Sequence, residues 1–162
     1  MKRQKAKKPK LSKLAKNKAN VSSKYWLRRA DSLWSKLVRE SGCCSLCGST
    51  VNKLDAHHIL PKDIYPNYRH DTNCGIPLCK ASCHKYGKTS AHRNGNWFAI
   101  WLRAQQQERW EWAYNHIMDY VDTPVKDYKA AYQRLQLVAE SAKIKEGSEN
   151  DIENTTIDSD NP

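Results

Sequence analysis

An α+β fold is what the sequence predicts, from three observations. Apolar residues recur at helical spacing on both sides of the chain's middle. Residues 43–92 between them are punctuated by Gly, Pro and Asn and rich in Cys and His. The 162 residues hold six Trp and eight Tyr but a single Phe, with 39% hydrophobic residues overall. That length has room for one domain of about 100 to 120 residues plus tails. Its core should be thin and aromatic, since bulky amphipathic rings fill space with few residues.

Residues 1–22 are Lys, Ala, Asn and Ser with almost nothing to bury, and read as a disordered basic arm. From Ser23 onward Trp26, Ala30, Leu33, Trp34, Leu37 and Val38 fall on one helical face, with Arg28, Arg29, Asp31 and Lys36 facing away. Ser22 or Ser23 can cap this helix and Gly42 ends it. Residues 43–92 look too broken for backbone hydrogen bonds and apolar burial alone to hold. Beyond them Asn94 or Asn96 can cap a helix carrying Trp97, Phe98, Trp101 and Leu102, and Trp110, Ala113, Tyr114 and Ile117 continue the stripe after a Gln-rich step. These helices complete a domain over 23–122. Thr123-Pro124 then suits the start of a C-terminal helix over 123–145, with Val125, Tyr128, Ala131, Tyr132, Leu135 and Val138 recurring every three or four residues. Residues 146–162 read as a disordered acidic tail.

Charge is distributed as unevenly as hydropathy. The formal net charge is +11, with twelve Lys or Arg and no acid in residues 1–29, and six acids and no base in residues 146–162. A basic arm beside a mildly basic domain suits a polyanion, where each neutralised phosphate releases counterions, so nucleic acid is the expected partner. No run of 18 apolar residues exists and the N-terminus lacks a secretory h-region, so no membrane is expected and the expected location is cytoplasmic.

In a reducing compartment six cysteines favour metal ligation over disulfides. Cys44-Ser-Leu-Cys47 and Cys79-Lys-Ala-Ser-Cys83 form two knuckles 31 residues apart between their facing ends. Two such knuckles complete a tetrahedral site of four sulfurs that suits structural Zn2+ and contributes about 10 to 16 kcal/mol of apparent folding free energy in zinc-finger peptides. Cys43 could replace its neighbour Cys44, and Cys74 is left over as a small buried residue. A closed four-thiolate site performs no chemistry, so reactive groups are expected between the knuckles.

There the chain runs Asp55-Ala-His57-His58-Ile-Leu-Pro61, then Asn73-Cys-Gly-Ile-Pro-Leu-Cys79, then Cys83-His84. This order resembles the HNH endonuclease family, most specifically over residues 43–92 and more loosely from Trp26 to Trp101, in its zinc-knuckle, phage-type subgroup. The resemblance implies a small ββα-metal (His-Me finger) core with a structural four-cysteine zinc site, flanked by helices. It implies His58 as general base, His57 and His84 as ligands of a catalytic divalent ion (Mg2+, Mn2+, Ni2+ or Zn2+), and Asn73 as the group that orients His58 or helps to position the metal. Asp55 shares strand parity with His57 and could join the ion or support its imidazole. Phosphodiester hydrolysis needs such a set: a base to activate water and a cation to neutralise developing charge, and imidazole titrates near neutral pH.

The sequence departs from the family pattern at three places. Cys74 intervenes between Asn73 and Gly75, the Cys79 to Cys83 spacing is one residue longer, and the segment His84 to His92 is expanded. On a continuous helix His92 would return within about 80 degrees of His84 but two turns farther along, which leaves its place in the ion's shell open. Lys62, Arg69, Lys80, Lys85, Lys88 and Arg93 flank the motif and are expected to contact DNA phosphates. Trp97 and Trp101 are expected in the core, and His70 and His116 on the surface or between helices.

The expected activity is metal-dependent nicking or cleavage of DNA, with RNA as an alternative substrate. One such site cuts one strand, so a double-strand break would require a homodimer, sequential nicks or a branched substrate. The organisation looks like phage-encoded proteins of recombination, packaging or homing, acting in a bacterial or phage-infected cell, with a DNA-processing protein as a further partner. The alternative from another class is a catalytically inactive zinc-ribbon module for DNA binding or assembly.

Overall fold

The structure is a computed structural model, and it describes residues 13–119 and 127–155, with side chains described over 23–119 and 127–144. It is mixed helix and sheet, as the sequence predicts. In chain order come helix α1 (Lys13–Val38), strand β1 (Leu54–His58), a short turn of 3-10 helix (Pro66–Tyr68), strand β2 (Gly75–Cys79), a single turn of π-helix (Ser82–Tyr86), and helices α2 (Gly95–Gln105), α3 (Gln107–His116) and α4 (Tyr128–Thr155).

The helix α1 begins inside the expected disordered arm, ten residues before Ser23. No Gly or Pro falls between Lys10 and Ser41, and Lys, Ala and Leu are good helix formers, so a helix nucleated by its packed C-terminal half can propagate outward on intrinsic propensity. Ala30, Trp34 and Val38 are buried along it. Gly42, at a φ of 67°, closes the chain after its end, where a residue with a Cβ would be strained.

The acidic tail is likewise helical as far as Thr155, since α4 continues through residues expected to be disordered. The expected start at Thr123-Pro124 lies outside the described residues. Asp127 provides a cap, its Oδ1 accepting from Ala130 N at 3.0 Å. The α4 helix lies against α1, where Leu135 joins Ala30, Trp34 and Val38 in one cluster and Arg29 donates to the Tyr132 hydroxyl at 2.7 Å while lying over that ring.

The two strands pair antiparallel, with Leu54 opposite Cys79, His57 opposite Ile76 and His58 opposite Gly75. Pro77 is tolerated because a two-stranded sheet leaves each strand one free edge. A main core of Leu54, Ile76, Leu78, Phe98 and Leu102 with three of the knuckle cysteines lies between the sheet and α2, and Trp97 and Trp101 pack against it as expected. Asn94 caps α2, its Oδ1 accepting from Trp97 N at 3.1 Å. The stripe read across the Gln-rich step is two helices, broken at Gln106.

Candidate metal centre and the cavity beside it

Cys44, Cys47, Cys79 and Cys83 converge, with their Sγ atoms all within 4.8 Å of one another. Cys44 and Cys47 sit on a tight turn that closes through Gly48 at a φ of 71°, with Gly48 N donating to Cys44 O at 2.8 Å. Cys79 ends β2 and Cys83 begins the following helical turn. Four zinc–sulfur bonds of about 2.3 Å in a tetrahedron imply sulfurs roughly 3.8 Å apart, and Cys47 Sγ lies 3.6 Å from Cys79 Sγ. Burial works against ionisation of Cys44, yet hydrogen bonds from the backbone of Cys47, Cys79 and Leu46 hold its thiol down at about 7. Burial pushes Cys83 up to about 12 and raises Cys79 as well. A soft divalent cation removes that conflict by binding all four as thiolates, and the four cysteines can hold a structural metal such as zinc. Cys43 stays outside the set. Cys74 is fully buried, donates to Leu60 O at 3.6 Å and has its thiol raised to about 11 by burial, which suits an inert core residue.

A second cluster joins His57, His84 and His92, whose donor nitrogens also lie within 4.8 Å of one another. His57 extends from β1, with its ring centroid 5.1 Å from each of the other two. His84 Nδ1 donates to Asp55 Oδ2 at 3.2 Å, which leaves the lone pair of Nε2 free to ligate, 3.0 Å from Nε2 of His92. Metal–nitrogen bonds of about 2.1 Å place neighbouring donors roughly 3.0 to 3.4 Å apart. Burial lowers His57 to about 3, with His84, His92 and His58 adding to the effect, and burial also lowers His84. All of this keeps imidazole neutral, as a ligand must be.

Two positions that the sequence left open take a definite place here. Asp55 is not a member of the three-donor cluster. It supports His84, because its carboxylate meets Nδ1 and so fixes the tautomer that exposes Nε2. His92 does belong to the cluster, because no continuous helix joins it to His84. The π turn closes with Tyr86 N donating to Ala81 O and Gly87 N to Ser82 O, at 2.8 and 2.9 Å. The chain then doubles back, so that Ala91 N meets Cys83 O at 3.0 Å and His92 N meets His84 O at 3.1 Å.

His58 points to the other side of β1. Its Nε2 lies 2.9 Å from Arg69 O; a carbonyl only accepts, so Nε2 carries the proton and Nδ1 keeps a lone pair. The ring stacks on Trp34 of α1 at 3.9 Å between centroids and 13° between planes. Burial lowers its pKa, with Lys62 and Arg69 acting in the same direction and the Arg69 carbonyl opposing them. His57, His58, His84 and His92 all line one cavity of about 650 Å³, whose other walls include Pro61, Lys62, Phe98, Leu102 and Trp110.

Among the described residues no hydrogen bond joins Asn73 to His58. Asn73 is exposed and lines a separate cavity toward α4, beside His70 and Tyr128, while Arg69 and Trp34 hold the imidazole. Of the expected phosphate contacts, Lys62 lines the histidine cavity, and Lys80, Lys88 and Arg93 are exposed, with Lys85 half-buried. Arg93 also donates to Tyr86 O at 3.1 Å. Arg69 is committed elsewhere: Nε and Nη2 donate to the two Asp31 oxygens, each at 2.8 Å. His70, expected to be incidental, donates to the same carboxylate at 2.8 Å.

Asp31 and Trp34 were read only as part of a helix. The available signal was that Asp31 is the sole acid among residues 1–39, and a lone carboxylate on a basic helix attracts a cation from elsewhere in the fold. Arg109, which donates to the backbone carbonyls of Gly75 and Thr72 at the start of β2, carried no such signal. Among the described residues no helix is long and apolar enough to cross a membrane. Compared with known proteins, the chain matches no family model, no curated sequence and no solved structure.

Proposed function

We propose that this chain is a metal-dependent endonuclease of the HNH kind, hydrolysing phosphodiester bonds of DNA. The observation that carries the reading is the joint placement of His58 and the three-histidine cluster on one cavity, His58 with Nδ1 free and the cluster with converging ring nitrogens. On this reading the two strands and the helical turn after them would correspond to a ββα-metal core, with a π turn where an α-helix would stand.

His57, His84 and His92 would hold a divalent cation, and such an ion would supply Lewis-acid neutralisation of charge on the scissile phosphate. The protein's own part is proton transfer and positioning. His58, neutral at physiological pH, accepts a proton at Nδ1 from the attacking water. The Arg69 carbonyl stabilises the imidazolium that results, because Nε2–H then donates to a full dipole from a cationic ring. Lys62, at the wall of the same cavity, attracts the phosphate. Zinc in the cysteine site would hold the π turn, and with it His84, at the required place.

Supercoiled plasmid incubated with the purified protein in Mg2+, Mn2+ or Ni2+ tests the reading, with EDTA and His58→Ala as controls. Conversion to open-circular or linear DNA that disappears with EDTA and with the variant supports it. Equal cleavage by the variant rejects His58 as the base. A second reading, a zinc-ribbon DNA-binding module without catalysis, is favoured by the lack of any Asn73–His58 hydrogen bond among the described residues; it predicts retained DNA binding and no cleavage by either protein.

A further inference from the structure

Helix α1 touches His58 twice, once directly and once through an intermediary. The direct contact is Trp34, whose indole lies flat on the imidazole and whose Nε1 donates to Asp71 O at 2.8 Å. One helical turn earlier Asp31 accepts both arms of the Arg69 guanidinium and the Nε2–H of His70. The residue so gripped is the one whose carbonyl accepts from His58. Arg69 follows the 3-10 turn Pro66–Tyr68 on an otherwise irregular segment between the strands, so its carbonyl has no sheet hydrogen bonds to aim it.

We infer that Asp31 is a positioning residue for His58: by clamping Arg69 and His70 to α1, it aims the Arg69 carbonyl that selects the tautomer of the imidazole. The inference rests on the nuclease reading only for its consequence in catalysis; the positioning itself stands on the hydrogen bonds. A two-armed guanidinium–carboxylate pair fixes direction as well as distance, because both N–H bonds must be satisfied in one plane. Side-chain exposure of 38% at Asp31 and 19% at Arg69 means that the pair is only partly wet. Without Asp31 the segment keeps the Trp34–Asp71 hydrogen bond to α1 but loses the bonds that grip Arg69 itself, and the carbonyl no longer holds one direction. His58 would then sample both neutral tautomers, and only the one with the proton on Nε2 offers a base at Nδ1.

The test uses the full chain loaded with zinc and labelled with 15N, in wild-type form and as Asp31→Ala and the milder Asp31→Asn. Ring 15N chemical shifts of His58 at one neutral pH report its tautomer, and plasmid cleavage and DNA affinity are measured on the same samples. The expected result is a single tautomer protonated at Nε2 in the wild type and a mixture in Asp31→Ala. With it, kcat should fall about 10- to 100-fold at unchanged DNA affinity, and Asp31→Asn, which keeps an acceptor for Arg69, should recover part of the loss. If Asp31→Ala does not fold, Asp31→Asn carries the same comparison. An unchanged His58 spectrum in a folded variant overturns the inference whatever happens to activity. A shifted tautomer with undiminished kcat overturns the catalytic role of the positioning. A shifted tautomer in a protein whose wild type cleaves nothing rejects the nuclease reading and leaves Asp31 as the residue that sets His58.

Discussion

Nε2 of His92 lies 3.0 Å from Nε2 of His84 although they stand eight positions apart in the chain, because the chain folds back after one π turn. Both nitrogens converge with His57. Replacing His92 with Ala should therefore weaken divalent-ion binding at the histidine cluster while leaving the cysteine site filled. Asp55→Ala, which removes only the carboxylate behind His84, should weaken it by about 10- to 100-fold. Calorimetric titration of the zinc-loaded protein with Mn2+ or Ni2+ checks both; unchanged affinity in His92→Ala would exclude it as a ligand.

The cysteine site should govern folding rather than chemistry. Apparent stabilisation by a structural zinc of about 10 to 16 kcal/mol matches or exceeds the whole stability of an ordinary domain, about 5 to 15 kcal/mol. Cys83→Ser should lower bound zinc by one equivalent and abolish cooperative thermal unfolding of the central segment. Elemental analysis and calorimetry read the two effects, and a variant that keeps its zinc and its transition would show that three thiolates suffice.

Gly75 faces α1 where His58 lies opposite on β1. A Cβ there would run into Val38 and come within 2.9 Å of Trp34 Cζ2, and neither side chain can retreat from a packed helix–sheet contact. Gly75→Ala should cost roughly 1 to 3 kcal/mol by overpacking, and it should disturb the Trp34 stack on His58. Denaturant titration gives the first value, and indole fluorescence reports the second; a fully stable variant would contradict the tight approach of α1.

The clamp on Arg69 carries its own pH dependence. Burial opposes ionisation of Asp31, but hydrogen bonds from Arg69 and His70 outweigh it and hold the carboxyl well below its ordinary 3.8. A group depressed on folding binds more protons in the unfolded chain, so its contribution to stability is complete above 3.8 and lost as the pH falls below that value. The difference in melting temperature between wild type and Asp31→Asn should stay constant near neutrality and close in acid. A difference that persists far below 3.8 would show that charge is not its source.

Local chemistry was legible in the sequence wherever one residue type has few uses. Cys44, Cys47, Cys79 and Cys83 announced themselves by spacing, and the adjacent His57 and His58 by strand alternation, which sends neighbours to opposite sides. The helical stripes of α1 and α2 were legible through Trp34, Phe98 and Leu102, since apolar periodicity reports burial directly. Three things were not. The termini of α1 and α4 extend through polar sequence, because helix propagation needs no burial once a packed segment has nucleated it. His92 was ambiguous because its position depends on backbone hydrogen bonds to Cys83 and His84 that leave no side-chain signature. The partner of His58 is a main-chain carbonyl, which every residue possesses, so nothing in the sequence distinguished Arg69 from its neighbours or removed Asn73 from consideration.

Cys83 and His84 are consecutive residues that serve different clusters, one looking into the thiolate group and the other into the imidazole group. Filling either group constrains the same peptide unit and so prepays part of the ordering needed by the other. The two binding equilibria are then thermodynamically linked, and linkage is reciprocal: whatever factor the first ion adds to the affinity for the second, the second adds to the first. Stripping metal from the thiolates should accordingly weaken the imidazole site as well.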